Sequence, residues 1–241
     1  MRLVAVVLLL ACGTSIACGQ QLPMPPAAAA PAEDGQWTTP AKNYASTRYS
    51  GLDEINTQNV AQLQVAFSFS MGVDRGQESS PLVVGNTLYA LSPFPHFLYA
   101  LDLSQPGAPL KWKYDPKPDG SAQGVACCDV VNRGPTFDDG KLFFATLDDH
   151  VVAVDAASGA EVWKVKLGDI NKGETMTMAP LVARGKVYVG VSGGEYGVRG
   201  WIQALDEKTG GTVWKAYNTG PDSDVLIGPD FKPFYDSDKG K

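Results

Sequence analysis

The chain has 241 residues, 20 Lys and Arg against 26 Asp and Glu, a formal net charge of -6 and 44% apolar residues. That apolar share suffices for a packed core and excludes intrinsic disorder for the bulk of the chain. A mild acidic excess without a basic cluster argues against nucleic acid as the main partner. No run reaches the roughly 18 apolar residues of a membrane-spanning helix, and 26 Gly and 17 Pro are spread along the chain, as suits many short elements joined by turns.

In chain order, Arg2, the apolar residues 3–11 and the small residues Ala17-Cys18-Gly19 read as an export signal over residues 1–19. The alternative, an apolar N-terminal strand, fits poorly with residues 23–32, PMPPAAAAPA, whose prolines cannot carry a sheet ladder. Residues 20–36 are therefore expected to form a Pro/Ala-rich linker, residues 37–241 the folded domain, and the protein to be periplasmic. The residues before Cys12 and Cys18 match a lipoprotein cleavage box poorly, which weighs against lipid attachment.

Export leaves Cys127 and Cys128 as the mature cysteines. Adjacent Cα atoms lie about 3.8 Å apart, below the roughly 4.4 Å minimum of ordinary disulfides. A bridge between them would be a strained ring closing almost no loop, so a rigid platform explains it better than chain entropy. Two small buried thiols are the other reading at this point.

From Ser79 onward the chain repeats. Ser80-Pro81-Leu82 is echoed by Gly134-Pro135-Thr136 and by Ala179-Pro180-Leu181. Each copy then carries an alternating strand ending in Asp102, Asp155 or Asp206, followed by a glycine turn and by Trp112, Trp163 or Trp214, which are spaced 51 residues apart. The first copy, from Gly107 to Trp112, has a two-residue insertion. Short strands of period two in units of about 50 residues indicate an all-β fold, a β-propeller. The Trp is expected to plug between neighbouring blades, and the Asp and Gly to build the turn before the last strand. Residues 53–65 read as a short helix or capping turn, and residues 65–69 as part of an incomplete strand pair. A propeller closes with roughly 4 to 8 blades, so three to four visible units imply either a fragment of a longer chain or an assembly of several copies, and the open edges of an unclosed propeller favour the fragment.

Four segments carry a family resemblance: Arg75-Gly76-Gln77-Glu78, the run from Val125 through Cys127-Cys128 to Arg133, Thr175-Met176-Thr177, and Ser192-Gly193-Gly194-Glu195. Together they resemble the pyrroloquinoline-quinone (PQQ)-dependent methanol/ethanol dehydrogenases, whose fold is an eight-bladed propeller. The chain matches the N-terminal portion, less than half. The resemblance implies that Cys127 and Cys128 form a vicinal disulfide covering one face of the quinone. It further implies that Arg133 holds cofactor oxygens through a planar, charged fork. Glu78, Thr177 and Ser192 match polar contacts at the cofactor rim, and Gly193 and Gly194 a turn where backbone approaches a flat ligand. Glu195 matches the first carboxylate ligand of a hard metal ion, calcium or a lanthanide. Gly194 before that ligand, rather than a larger residue, is closer to the lanthanide-using class.

Taken singly, these residues have plainer readings. Glu78 and Glu195 could be solvated turn residues, and Arg133 could pair with Asp129. His96 and His150 lack ligand-like neighbours at metal spacing and read as structural or exposed. The activity implied is oxidation of a primary alcohol to the aldehyde, with electrons passed to a periplasmic cytochrome c. The base, an Asp, is expected beyond Lys241, so no catalytic residue is assigned within this chain and the fragment alone is expected to be inactive. A homodimer and a peripheral membrane association are both compatible with the resemblance. The rival from another class is a non-catalytic quinoprotein-like propeller scaffold of the cell envelope, which has no need of adjacent cysteines, Arg133 or the Ser192–Glu195 turn.

Overall fold

The computed structural model describes residues 35–126 and 129–226. The export signal, the Cys127–Cys128 pair and, apart from Gly35 and Gln36, the linker lie outside the described residues.

Three four-stranded antiparallel sheets follow one another along the chain. The first holds β1 (Leu82–Val84), β2 (Thr87–Leu91), β3 (Leu98–Asp102) and β4 (Leu110–Tyr114). The second holds β5 (Thr136–Asp138), β6 (Lys141–Ala145), β7 (His150–Asp155) and β8 (Glu161–Lys166). The third holds β9 (Leu181–Ala183), β10 (Lys186–Gly190), β11 (Trp201–Asp206) and β12 (Thr212–Tyr217). Each sheet orders its strands in sequence and slips register at the same place, after Ala100, Ala153 and Ala204. The repeats are thus blades of a propeller, superimposable down to the bulge.

The turns are built by the expected residues. Asp139-Gly140 and Arg184-Gly185 both take positive φ, the geometry of tight hairpins whose twist matches the strands. Asp102, Asp155 and Asp206 each accept the backbone N–H and hydroxyl of Ser104, Ser158 and Thr209. Those bonds, the hydroxyl's first, hold the three carboxyls below their usual range.

The middle sheet is buried on both faces, which explains its unbroken apolar runs. Leu142 and Phe144 of β6, with Val152 and Val154 of β7, pack on Leu82, Leu91 and Leu98 of the first sheet. Phe143 and Ala145, with Val151 and Ala153, pack on Val182, Val187 and Trp201 of the third. Period two therefore sends alternate residues to two different neighbours.

The tryptophans do plug the joints. Trp112 Nε1 donates to Ala156 O at 3.2 Å, and a Cβ added to Gly159 would lie 2.6 Å from its ring. Trp163 Nε1 donates to Glu207 O at 3.0 Å, and the Cβ of a residue replacing Gly210 would lie 2.9 Å from its ring. Each glycine has positive φ and no room for a side chain, so Trp and Gly of successive blades form a matched pair.

One expectation needs correction. Residues 65–69 form no strand; among the described residues they have no ladder partner, and Val65 is 86% exposed. Residues 53–65 hold a single 3-10 turn, Val60–Gln62, in line with the short helix or capping turn expected there. Upstream, residues 37–44 cross the first strands of all three sheets. Trp37 bridges to Val83, Phe137 N donates to Thr38 O, and Tyr44 Oη donates to Val182 O.

Candidate functional site

Antiparallel order puts two kinds of connection at one end of the sheets: those entering β1, β5 and β9, and those joining the second strand to the third. Glu78, Arg133 and Thr177 lie on connections of the first kind, and Ser192, Gly193, Gly194 and Glu195 on one of the second. All seven line a single cleft of about 400 Å³. Residues separated by more than a hundred positions are brought together by blade repetition alone.

Arg133 is the hub. Its Nη1 donates to Thr177 Oγ1 at 2.7 Å and its Nη2 lies 3.3 Å from a Glu78 oxygen. Its backbone N–H donates to Thr177 O at 3.0 Å, tying the two connections together. The partner of Arg133 is therefore Glu78 and not Asp129, although Asp129 also lines the cleft. Both Arg133 and Glu78 side chains are about half exposed, at 53% and 50%, so their pairing contributes about 0–1 kcal/mol and leaves N–H donors for a ligand.

The Ser192 turn is fastened to the neighbouring connection: Ser192 N donates to Thr175 O at 2.9 Å. Gly193 has φ 114, and a Cβ there would fall 2.2 Å from Gly173 O. A glycine is required there by this backbone contact inside the protein. Gly194, by contrast, has nothing within 4 Å of an added Cβ, so open space adjoins it on the cleft. Glu195 is exposed and makes no ion pair or hydrogen bond among the described residues, leaving its oxygens free for a cation. Among the described residues no group of three or more His, Cys, Asp or Glu could hold a metal, so Glu195 stands in the cleft as a lone carboxylate. That lone, unengaged carboxylate fits one ligand of a hard oxygen-seeking ion and does not complete its coordination.

Thr175, Ala126, Asp129 and Val131 also line the cleft and were not singled out from the sequence. Thr175 had a signal. In Thr175-Met176-Thr177 the two threonines share a face while Met176 turns fully into the core. A second, open depression of about 670 Å³ shares Glu78 and Arg133 and is also lined by Trp37, Arg48 and Met178. The histidines prove structural. His96 is fully buried, accepts from Leu147 N through Nε2 at 3.1 Å, and burial lowers its pKa to about 4. His150 Nδ1 sits 3.0 Å from Asp148.

Comparison with known proteins agrees with this geometry. Residues 37–225 match the β-propeller domain of the PQQ glucose/ethanol/alcohol dehydrogenase family. A lanthanide-dependent methanol dehydrogenase of Methylacidiphilum fumariolicum (strain SolV) is 55% identical over 199 residues, which is 83% of this chain and 33% of that protein. The methanol dehydrogenase [cytochrome c] subunit 1 of Methylobacterium organophilum is 48% identical over 204 residues, 82% of this chain and 32% of that protein. Among solved structures, a europium-containing methanol dehydrogenase superimposes with a TM-score of 0.79 at 54% identity, covering 81% of this chain and 34% of its own. The chain thus spans about a third of the length of the relatives it matches. With a family match over residues 37–225 and the cleft residues in one place, the chain belongs to the PQQ-dependent alcohol dehydrogenase family, within its β-propeller domain.

Proposed function

We propose that this chain supplies the N-terminal part of a PQQ site that oxidises a primary alcohol, methanol or ethanol, to the aldehyde. The observation that carries the reading is the Glu78–Arg133–Thr177 cluster facing the Glu195 turn across one cleft. When bound, the quinone supplies the acceptor for the hydride of the alcohol. Arg133 donates N–H bonds to the oxygens of that planar, anionic group, while Thr177 and Glu78 fix the plane of its guanidinium. Ser192 presents a hydroxyl at the rim, and Gly194 leaves the cleft wall open at that point. Glu195 presents carboxylate oxygen to calcium or a lanthanide, and the names of the similar proteins favour the lanthanide. A cytochrome c in the periplasm is proposed as electron acceptor.

Export through residues 1–19, residues 20–36 as linker and a Cys127–Cys128 disulfide against the quinone belong to the same proposal. The test is a PQQ titration of the purified protein followed by tryptophan quenching, with and without La³⁺. Saturable binding that Arg133→Ala weakens supports the reading. Binding unchanged by Arg133→Ala and by Glu195→Gln overturns it.

A further inference from the structure

The turn 146–150, between β6 and β7, opens at the same end as the cleft and is the counterpart, one blade earlier, of the connection bearing Glu195. Within it Asp149 is 0% exposed, and neither carboxylate oxygen has a hydrogen-bond partner among the described residues. Its neighbour Asp148 is nearly as buried but fully engaged, by Thr146 Oγ1 at 2.6 Å, Asp119 N at 2.9 Å and His150 Nδ1 at 3.0 Å. Two adjacent carboxyls thus have opposite environments. For Asp148 burial alone would raise the pKa, and the hydrogen bonds outweigh it and lower the value. For Asp149 burial raises it, and Lys166 offsets that only in part.

Asp149 packs against the segment 167–175. Leu167 N donates to Asp149 O at 2.9 Å, and a Cβ on Gly168 would lie 2.7 Å from the Asp149 carboxyl carbon. The charged groups around it are Glu174, Asp148 and Asp169, all of like sign, opposed by Lys166 alone. Burial followed by these repulsions pushes the carboxyl up to about 7. Glu174 is itself committed, accepting from Trp201 Nε1 at 3.0 Å and from Asp169 N at 2.7 Å. The opposite side of the segment meets the cleft: Gly173 abuts Gly193, and Thr175 O receives Ser192 N. The segment is therefore clamped between Asp149 and the turn that carries Glu195.

We propose that Asp149 is a positioning residue: its neutral carboxyl keeps segment 167–175 seated beneath turn 192–195, and loss of its proton to solvent loosens that turn. An ionised Asp149 would face three carboxylates at close quarters with no N–H donor, and charge buried without a partner is relieved by separation or hydration. The element free to separate is the segment, since the core strands on the other side of Asp149 are locked on both faces. Cleft geometry would then tighten at mildly acidic pH and slacken above neutrality.

Amide hydrogen exchange of residues 192–198, corrected for the intrinsic pH dependence, tests this on the protein without quinone or metal, so its outcome is independent of the proposed function. A carboxyl titrating near 3.8 when unfolded and near 7 when folded loses stability as pH rises between those values, with no further loss above. Protection of residues 192–198 is expected to fall roughly tenfold or more between pH 5 and 8. Asp149→Asn keeps the volume without the charge, and Asp149→Gly suits the left-handed backbone at φ 66. Both should abolish the pH dependence. Equal pH dependence in wild type and variants overturns the proposal, as does constant protection of residues 192–198 in wild type while the melting temperature falls, which would mark a merely structural role. Should both variants fail to fold, the infrared carboxyl band of wild type decides: a protonated Asp149 absorbing at pH 6 sustains the proposal, and its absence overturns it.

Discussion

The joints between blades and the cleft are built from different connections under opposite rules. At the joints, Trp112 meets Gly159 and Trp163 meets Gly210 with no spare volume, and β6 and β7 between them are buried on both faces. In the cleft, Arg133, Glu78 and Glu195 are exposed, weakly paired or unpaired, and held by backbone bonds from neighbouring connections. The joints repeat every 51 residues, whereas the cleft uses a different residue from each blade. Regularity in this molecule thus belongs to packing and irregularity to chemistry, because identical interfaces need identical side chains and a ligand with distinct edges needs distinct ones.

The contrast breaks most sharply at a joint. Trp163→Ala should cost about 3–5 kcal/mol by emptying a packed interface and orphaning Glu207 O, read as a lowered melting temperature. Gly159→Ala should cost about 2–4 kcal/mol, since it adds a Cβ at positive φ against the Trp112 ring. Gly193→Ala sharpens the comparison, because it is a cleft residue under joint rules. Its Cβ would strike Gly173 O, so it should destabilise by a similar about 2–4 kcal/mol while Gly194→Ala stays within about 0.5 kcal/mol. Arg133→Ala should leave stability within about 1 kcal/mol and weaken PQQ binding by roughly 10- to 100-fold, measured by fluorescence titration. Glu195→Gln should not move the melting temperature measurably, yet should weaken sensitised terbium emission at the cleft. A melting temperature that drops as far for Arg133→Ala as for Trp163→Ala would dissolve the distinction.

Much of the fold was legible because its signals are local and repeated. Alternation marks strands, Asp–Gly marks their turns, and the Trp spacing marks the unit. The misread element, residues 65–69, shows the limit: alternation announces a strand, but a ladder needs a partner within reach, and none stands beside it among the described residues. Seven cleft residues were legible through resemblance, and Thr175 could have been added from its period-two relation to Thr177. The partner of Arg133 was not readable, since Asp129 is nearer in sequence and Glu78 is chosen only by how two connections cross.

The sequence by itself determined the blade: strand lengths, hairpin turns, the Trp–Gly complement and the family follow from the order of residues, since each depends on neighbours within one repeat or the next. Tertiary structure alone decided which carboxyls are engaged. Asp148 and Asp149 are adjacent and chemically identical, yet among the described residues one gathers two hydrogen-bond donors with His150 Nδ1 at 3.0 Å, and the other gathers none. Hydrogen-bond partners and burial come from distant segments converging on a point, and those set the free energy of a charge where chain position cannot.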